Sequence, residues 1–326
     1  MHRRQLGSNG FRISEVGLGC WQFGGDFGEV TEQTALAIME KAVEHGVDFF
    51  DTANVYGDGR SETLIGRFLN QCPQSITVAT KFGRGEDVFP DRYTEERLRA
   101  SIQDSAGRLG VDCIDLLQLH CVPTEILRQG AIFDWLRRAK HAGMIRHFGA
   151  SVESVEEGLI CLEQEGILSL QVIFNIFRQK LATELLPQAE ARGVGIIVRL
   201  PLASGLLSGK FDANSIFAQS DHRNYNRDGQ YFNVGETFAG LPFEKGVELA
   251  DEIRHLVPDD ISMAAFAQRW ILDHPAVSVI IPGASRPDQA RANAEVSSLA
   301  PLPPSIHSAL KDWYHTKVHH HIRGPY

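Results

Sequence analysis

The chain has 326 residues, of which 43% are hydrophobic and 22% are charged, and its formal net charge is −9. This composition is ordinary for a globular protein and supplies enough apolar residues for a sizeable core. The net charge is negative and no long run of one sign occurs, so we expect neither nucleic acid nor an anionic membrane surface as a partner. The length permits two domains, but α/β barrels of this length commonly form one.

Cysteine usage and apolar segments bear on the cellular compartment. The cysteines are odd in number and lack C-x-x-C spacing, which favours reduced thiols over a disulfide framework or a zinc site. They are Cys20, Cys72, Cys113, Cys121 and Cys161. Residues 1–15 contain no apolar signal segment, and the most apolar run, residues 194–207, is interrupted by Arg199 and Pro201. The sequence therefore predicts a cytoplasmic protein without a metal site.

Apolar segments typical of strands alternate with amphipathic segments typical of helices. Arg3 to Ile13 predicts a β-hairpin, because Asn9-Gly10 supplies the positive φ angles of a tight turn. Eight strands are then predicted: Val16 to Gly19, Val47 to Phe50, Ile76 to Thr80, Ile114 to Leu119, Ile145 to Ala150, Leu168 to Asn175, Val194 to Val198 and Val277 to Ile281. Between them lie predicted helices: Thr31 to His45, Ser61 to Asn70, Thr94 to Leu109, one ending near His141, Val155 to Glu165, Thr183 to Arg192, and two before the last strand.

This alternation predicts an α/β fold consisting of one (β/α)8 barrel that spans residues 1–326, with an N-terminal hairpin. A doubly wound sheet is the alternative, but the stretch from Gly17 to Gln22 lacks the third glycine of a dinucleotide-binding turn. After the seventh barrel strand comes a long polar loop, roughly Phe211 to Gly240. Loops of this length inside a compact domain are usually lids or ligand clamps.

Titratable side chains follow three consecutive strands. Asp51, Lys81 and His120 each come directly after a predicted strand, and Tyr56 lies in the loop after Asp51. The C-terminal ends of barrel strands surround one cavity, so we expect these residues to converge there. Each of them alone is more often structural, as buried Asp-Lys pairs frequently are. The set of four indicates a proton-transfer site.

The chemistry of this set suits the reduction of a carbonyl. An ammonium group close to a phenol favours the phenolate, so Lys81 is expected to lower the pKa of Tyr56. Asp51 would hold Lys81 charged and in place, and His120 would orient the carbonyl oxygen or share its proton. Tyr56 would then act as the general acid for a carbonyl that receives a hydride.

The residues around this set resemble the aldo-keto reductase family, and the likeness covers nearly the whole chain. The matching stretches are Asp51-Thr52-Ala53 with Tyr56-Gly57 and Ser61-Glu62, Thr80-Lys81-Phe82-Gly83, and Leu116-Leu117-Gln118-Leu119-His120. The resemblance implies that Asp51, Tyr56, Lys81 and His120 are the family's catalytic tetrad. It also implies an NAD(P)H-dependent carbonyl reductase, or the reverse reaction, that binds an extended cofactor without a Rossmann domain.

The resemblance also implies a set of cofactor-binding residues. Ser151 and Gln171 match positions that hydrogen-bond the nicotinamide carboxamide, and Asn175 lies beside them. The run from Pro201 to Lys210 resembles the family's pyrophosphate loop, in which small residues let backbone N–H groups approach an anion. With the end of the first barrel strand, the implied contacts are Gly19, Leu202, Ser204, Gly205, Leu207 and Lys210.

The stretch that follows the last strand resembles the adenosine-binding segment of the family. Its implied contacts are Gly283, Ser285, Arg286, Gln289 and Asn293. The end of this stretch opens a helix, whose N-terminus favours an anion. Ser285 and Arg286 are natural partners for a 2′-phosphate, which favours NADP over NAD. The alternative for Arg286 is a solvated charge at the helix start.

Two positions depart from the family pattern. Val152 stands where many members have an Asn, which removes a polar contact to the carboxamide. Arg199 stands where members commonly have an aromatic residue that stacks on the nicotinamide. A guanidinium can also stack on a ring, and its charge would disfavour the cationic oxidised nicotinamide, so we expect a bias toward the reduced cofactor. The alternative is that Arg199 turns away into a salt bridge with the long loop.

The sequence gives less information about the substrate pocket and the C-terminal segment. Trp21, Phe23, Val55 and Phe82 are expected to form pocket walls, although some of them could instead pack at the barrel mouth. The C-terminal segment is rich in histidine, with His315, His319, His320 and His321. No carboxylate or cysteine accompanies them at metal-ligand spacing, so we expect a segment that folds over the pocket mouth or is solvated.

The sequence thus predicts an NADP(H)-dependent oxidoreductase that reduces an aldehyde or ketone, such as a sugar or other polyol-type carbonyl, to an alcohol. Two alternatives stay open. One is a module that binds NADPH as a redox sensor for a partner protein, although an intact tetrad argues against it. The other is an enzyme that keeps its cofactor bound and uses transient oxidation for an epimerisation or elimination, which the altered nicotinamide contacts permit.

Overall fold

The computed structural model describes residues 1–326, and eight parallel strands form its central sheet. They are β3 (Leu18–Gly19), β4 (Phe49–Asp51), β5 (Thr77–Phe82), β6 (Ile114–His120), β7 (Ile145–Ser151), β8 (Ile167–Ile173), β9 (Gly195–Arg199) and β10 (Val277–Ile280). Each strand pairs with the next in chain order. Parallel bridges from Val16 to Ile280 and from Gly19 to Gly283 join the first strand to the last and close the sheet. The predicted (β/α)8 barrel is confirmed.

Helices follow the strands around the outside of the barrel. They are α1 (Glu32–Glu44), α2 (Arg60–Leu69), α3 (Glu95–Leu109), α4 (Thr124–Gln129), α5 (Ala131–His141), α6 (Val155–Leu162), α7 (Leu181–Glu184), α8 (Leu186–Ala191), α9 (His222–Tyr225), α10 (Phe243–Glu252), α11 (Met263–Leu272), α12 (Pro287–Glu295) and α13 (Pro304–Trp313). None of them is long and apolar enough to cross a bilayer.

Two helices that the sequence predicts as single are each divided. The segment that ends at His141 consists of α4 and α5, because Gly130 between them has a φ of 78°, outside the helical region. The segment predicted as Thr183 to Arg192 consists of α7 and α8, which meet at Leu185 just before Pro187. The long loop also contains a short helix, α9, which the sequence did not indicate.

The predicted N-terminal hairpin is confirmed and closes the end of the barrel opposite the titratable residues. The predicted turn is wrong, because neither Asn9 nor Gly10 has a positive φ angle and Gly7 has one instead, at 68°. Its strands β1 (Arg3–Gln5) and β2 (Arg12–Ser14) pair antiparallel. Leu6 and Ile13 belong to a buried apolar cluster with the inward-facing residues Phe49, Leu116 and Ile197. The Ser8 N–H donates to the carbonyl of Gly193, just before β9 begins. The lower half of the barrel interior is therefore a packed core, and the polar chemistry is confined to the other half.

Strand periodicity explains how the titratable residues come to face the interior. In β4, Phe49 faces the lower core and Asp51, two residues later, faces the same interior at the C-terminal end. In β6, Leu116 has the lower position and His120 the upper one. Parallel pairing places the upper ends of neighbouring strands side by side, so that Lys81 pairs with Gln118 and His120 with Ser151.

The C-terminal segment lies against the long loop. Arg323 donates from Nε to the carbonyl of Gly240 at 3.0 Å, and Arg178 donates to the carbonyl of Pro325 at 2.6 Å. The histidine-rich turn, His319–His321, remains on the surface. Of the two expectations for this segment, its last residues dock on the protein rather than extend into solvent, and none of its histidines lines the cavities described below.

Candidate active site

Lys81 and Asp51 form a fully buried ion pair at the upper end of the barrel. Lys81 Nζ lies 2.5 Å from Asp51 Oδ1, 2.6 Å from the carbonyl oxygen of Thr52 and 3.3 Å from the Tyr56 hydroxyl. These three partners use all three ammonium protons. Burial alone lowers the pKa of Lys81, but Asp51 and Tyr56 together outweigh it, and the pKa lies above its ordinary value. The lysine is therefore held charged beside the phenol.

Asp51 is itself held by two amides from the barrel interior. Gln118 Nε2 donates to Asp51 Oδ2 at 2.9 Å, and Gln171 Nε2 donates to the same oxygen at 2.7 Å. Gln171 was predicted to bind a nicotinamide carboxamide, and part of its hydrogen-bonding capacity is used here. Gln118 was not singled out, although a buried amide two residues before His120 on one strand face is a readable signal. Both carboxylate oxygens of Asp51 are thus satisfied.

The pKa of Tyr56 lies above its ordinary value, whereas the sequence led us to expect a lower one. Burial of the phenol raises the pKa more than the nearby Lys81 charge lowers it. Tyr56 therefore stays protonated at neutral pH and keeps a proton to donate. Its ring stacks on Trp21, with ring centroids 5.9 Å apart and 20° between the planes.

His120 completes the group as a neutral imidazole. Burial lowers its pKa well below the ordinary value, and the positive charges of Arg84, Lys81 and Arg199 lower it further. The His120 ring lies edge-on to the Tyr56 ring at 6.0 Å between centroids. Its buried Nδ1 has no hydrogen-bond partner. A neutral imidazole can donate one N–H to a substrate oxygen without adding charge.

A cleft of about 380 Å³ runs from these residues along the mouth of the barrel. Tyr56, His120 and Asp51 line one end of it. Most residues predicted to bind cofactor also line it, namely Gly19, Gln171, Arg199, Leu202, Ser204, Gly205, Lys210, Gly283, Ser285, Arg286 and Gln289. The structure thus brings together residues from six separate parts of the chain in one cleft.

Four predicted cofactor residues lie outside the lining of this cleft. Ser151 is buried with its hydroxyl 3.7 Å from Cys121 Sγ, and Leu207 is in the apolar core. Asn175 donates from Nδ2 to the carbonyl of Leu200 at 3.0 Å, and Asn293 donates to the carbonyl of Gly283 at 3.3 Å. The two asparagines therefore support the backbone of cleft-lining loops.

The predicted pyrophosphate loop has the backbone expected of an anion-binding turn. Ser204 and Gly205 have φ angles of 55° and 101°, in the left-handed region. The Ser204 hydroxyl donates to the Glu236 carbonyl and accepts from the Phe238 N–H, both at 3.1 Å, which fixes this turn to the long loop. Lys210 lines the cleft beyond the turn and belongs to no ion pair in the chain. These features fit the phosphate groups of a dinucleotide.

A strap formed by two loops crosses this end of the barrel. Asp26 accepts from Trp21 Nε1 at 2.8 Å and from the Tyr225 hydroxyl at 2.7 Å. The His222 N–H donates to the Asp26 carbonyl at 2.9 Å. The loop after β3 is thereby tied to the long loop. Asp26 was not among the predicted site residues.

A second cavity of about 350 Å³ opens on the other side of Tyr56. It shares Trp21, Tyr56, His120 and Glu236 with the cleft. Its other lining residues are Asp26, Val55, Arg84, Phe89, Cys121, Glu153, Tyr225, Tyr231, Phe232 and Asn233. Of the predicted pocket walls, Trp21 and Val55 line it. Phe23 and Phe82 are buried in the apolar core and line neither cavity.

A charged group that the sequence did not reveal lies in the wall of the second cavity. Arg84 Nη2 donates to Glu153 Oε1 at 2.6 Å and to Glu236 Oε1 at 2.7 Å. Burial raises the pKa of Glu236, but Arg84 and Arg199 outweigh it and hold the pKa at about 2. Burial and the neighbouring Glu236 charge raise the pKa of Glu153 to about 7. We call Arg84, Glu153 and Glu236 the Arg84 cluster.

Arg199 combines features of both alternatives considered from the sequence. It lines the cleft, and its Nη1 also lies 3.5 Å from Glu236 Oε1 in the long loop. Its Nη2 is 3.4 Å from the carbonyl of Val152, while its Nε is buried without a partner. Cys121 Sγ and carboxylate oxygens of Glu153 and Glu236 lie within 4.8 Å of one another, but Arg84 and Arg199 already supply positive charge at these atoms.

Comparison with known proteins agrees with this geometry. The sequence profile of the aldo/keto reductase family matches residues 15–314. The chain is 30% identical to an uncharacterized oxidoreductase, YqkF, of Bacillus subtilis, covering 97% of each protein. It is 30% identical to a D-threo-aldose 1-dehydrogenase of a Pseudomonas species, covering 89% of this chain and 91% of that protein.

Solved structures give the same result. The aldo-keto reductase AKR11C1 of Bacillus halodurans, in its holo form, superposes with a TM-score of 0.77 at 25% identity, covering 96% of each chain. The glycerol dehydrogenase AKR11B4 of Gluconobacter oxydans superposes with a TM-score of 0.76 at 28% identity, covering 99% of this chain and 97% of that one. The chain belongs to the aldo/keto reductase family of oxidoreductases.

Proposed function

We propose that this protein interconverts an aldehyde or ketone and its alcohol with NADP(H), using Tyr56 to donate and accept the proton. The observation that carries the proposal is the position of Tyr56. Its hydroxyl lies 3.3 Å from the charged, fully buried Lys81, and its side chain lines both cavities. A cofactor in the cleft and a substrate in the second cavity would therefore meet at Tyr56.

The cleft suits a phosphate-bearing dinucleotide. Lys210 adds positive charge along it, and Ser285 and Arg286 stand at the start of α12, where Arg286 also pairs with Asp288 at 3.2 Å. A 2′-phosphate would be held there by Arg286 and the helix N-terminus, which is the reason for preferring NADP to NAD. When bound, the nicotinamide would supply hydride to the carbonyl carbon of the substrate.

The chain's own residues then manage the proton. Tyr56 donates its O–H proton to the carbonyl oxygen, and Lys81, fixed by Asp51, stabilises the phenolate that remains. His120 donates an N–H to the same oxygen and directs the carbonyl toward Tyr56. Water then returns a proton to the phenolate. In the oxidation direction, the phenolate takes the proton from the alcohol instead.

Small hydroxylated carbonyl compounds are the substrate class that we propose. Among the similar proteins, one is named for aldose oxidation and another for glycerol oxidation. Both names describe compounds with several hydroxyl groups. A second cavity of about 350 Å³ with aromatic and charged walls suits a compound of that size and polarity.

We also propose a cytoplasmic location and a small-molecule substrate as the protein's partner. All five cysteines are free thiols in the structure, which agrees with a reducing compartment. The net charge of −9 disfavours an encounter with nucleic acid.

A second candidate function is transient oxidation by a cofactor that stays bound. The strap favours this candidate, because Asp26 joins two loops across the mouth and would slow cofactor exchange. Cofactor that survives purification in stoichiometric amount, together with no net turnover of added NADPH, would support it.

The test is NADPH binding, followed by quenching of intrinsic fluorescence, together with reduction of a panel of aldehydes. Wild type, Tyr56→Phe and the control Tyr314→Phe are compared; Tyr314 is buried and lines neither cavity, whereas Tyr56 is partly exposed and lines both. We expect all three to bind NADPH and Tyr56→Phe to lose about 10²–10⁴-fold in rate, because general acid catalysis contributes that much. Full activity of Tyr56→Phe would refute the assigned role.

A further inference from the structure

The Arg84 cluster is not needed for the proton chemistry, and it has unused hydrogen-bonding capacity. Both hydrogen bonds that Arg84 donates leave from Nη2, so Nε and Nη1 make none within the chain. The carboxyl groups of Glu153 and Glu236 share one hydrogen bond with each other. Apart from it, neither Glu153 Oε2 nor Glu236 Oε2 accepts a bond from an N–H or hydroxyl group. The three residues all line the second cavity. Donors and acceptors therefore alternate on one wall of that cavity.

Charge balance argues against an anionic ligand at this wall. Arg84 is already paired with two glutamates, and the side chains of the cluster are between 7% and 18% exposed. A ligand carboxylate would have to displace a glutamate that is close to buried, or lie beside it. Like charges at such separation repel strongly when they are shielded from water.

A purely apolar ligand is equally unsuitable. It would cover the cluster and remove water from the unused donors and acceptors without replacing their hydrogen bonds, which is costly for charged groups. Hydroxyl groups meet both conditions, because each can donate to a carboxylate oxygen and accept from a guanidinium N–H without adding charge. The aromatic rings of Phe232 and Trp21, on the walls of the same cavity, would cover the carbon face of such a ligand.

We propose that Arg84, Glu153 and Glu236 form a subsite that binds the hydroxyl groups of an uncharged polyhydroxylated substrate and sets the enzyme's preference for it. This inference rests on the proposed function, because it concerns the substrate side of the same reaction. It names the residues that discriminate between substrates, and it excludes acidic sugars and simple alkyl aldehydes as preferred substrates.

The test compares two aldehydes of equal carbon number, glyceraldehyde and propanal, which differ in hydroxyl groups. Wild-type protein should show a kcat/KM for glyceraldehyde that is more than tenfold higher. At pH 8, above the Glu153 pKa of about 7, Glu153→Gln and Glu236→Gln should each lower the ratio of the two kcat/KM values on the order of tenfold, mainly through KM, because a hydrogen bond to a charged acceptor is lost. The matched control is Glu156→Gln, an exposed carboxylate near Glu153 that pairs with Arg128 outside both cavities. Its ratio should equal that of wild type.

Calorimetric titration with xylitol, a neutral polyol, separates this inference from the proposed function. Wild type should bind xylitol, and Glu153→Gln should bind it on the order of tenfold more weakly. If the protein reduces neither aldehyde but binds xylitol in this residue-dependent way, the subsite stands and the reductase proposal fails. If wild type treats both aldehydes alike, or if neither glutamate variant changes the ratio or the xylitol affinity, the subsite is refuted while the reductase proposal survives.

Discussion

Two buried ionic groups lie on opposite sides of Tyr56, and they are built differently. The Asp51–Lys81 pair stands on strands β4 and β5, and every donor and acceptor in it has a partner within the chain. The Arg84 cluster comes from loops, and Arg84 Nε and Nη1 make no hydrogen bond within the chain. A group satisfied from within can only hold its neighbours in position. A group with unused atoms has capacity for a ligand. The comparison therefore suggests that the Asp51–Lys81 pair positions Tyr56, whereas the Arg84 cluster binds a ligand.

The largest expected effect is a loss of stability, and it tests whether the two ionic groups differ in structural role. Lys81→Met should lower the free energy of unfolding by about 3–5 kcal/mol, because it leaves the Asp51 carboxylate buried and without its charge partner. Arg84→Met should cost less, about 1–3 kcal/mol, since Glu153 and Glu236 border a cavity and can be hydrated. Urea denaturation of both variants gives the two values.

The control for this pair is Lys41→Met. Lys41 pairs with Glu44 on the exposed face of α1, so its removal should change stability by about 0.5 kcal/mol or less. Equal losses for Lys81→Met and Arg84→Met would show that the two groups have the same structural role, and the distinction would then be wrong.

A pH experiment sharpens the description of the Arg84 cluster. The pKa of Glu153 rises from 4.5 to about 7 in the folded chain, so the folded state binds a proton that the unfolded state releases between these values. The stability that this proton contributes is present below pH 4.5 and is lost as pH rises through 7. Glu153→Gln has no proton to lose at this position. Between pH 5 and pH 8, its free energy of unfolding should therefore rise by about 1–3 kcal/mol relative to that of wild type.

Thermal unfolding at both pH values measures this difference. The neighbouring Glu236 has a lowered pKa of about 2, so the stability that it contributes is lost only as pH falls below 4.5, outside the tested range. Glu156→Gln again serves as the exposed control. If wild type and Glu153→Gln have parallel stability profiles from pH 5 to pH 8, Glu153 does not carry the raised pKa.

The smallest expected effect concerns Arg199, which lines the cleft and contacts Glu236 of the Arg84 cluster. Arg199→Gln removes a positive charge from the cleft and should improve NADP⁺ binding relative to NADPH by about two- to fivefold, because only the oxidised nicotinamide is cationic. The effect is small since Glu236 lies 3.5 Å from Arg199 and offsets its charge. Equilibrium titration with both cofactor forms gives the ratio. Arg286→Gln is the control, and it should weaken both forms equally. An unchanged ratio in Arg199→Gln would contradict a role for this charge at the nicotinamide.

The sequence was most informative where one strand carries both the fold signal and the chemistry. The period of two that marks β6 as a strand also places His120 in the barrel interior, so the fold and the position of the candidate catalytic residue followed from one pattern. The same rule could have identified Gln118. Side chains in short turns have no such period. Phe23 lies in a 3₁₀ turn and enters the core, although its neighbour Trp21 faces the cavities.

The Arg84 cluster could not be read from the sequence because its members belong to three different loops. Arg84 and Glu236 are 152 positions apart, and neither stands in a motif. Their meeting depends on how the long loop folds back over the barrel, which is fixed by contacts such as Ser204 with Glu236 rather than by local propensity. Ligand-binding residues in loops can be identified only from three-dimensional coordinates, whereas residues at strand ends can be predicted from the strand register.

Glu236 lines both cavities and contacts both Arg84 and Arg199. The Glu236 carboxylate therefore borders both the proposed cofactor site and the proposed substrate site. A cofactor that draws Arg199 away from Glu236 strengthens the hold of Glu236 on Arg84, and a substrate that engages Arg84 acts in return on Arg199. Coupling of this kind is reciprocal by thermodynamic necessity. Under the proposed function, occupancy of the cleft would then be communicated to the second cavity through the Glu236 side chain.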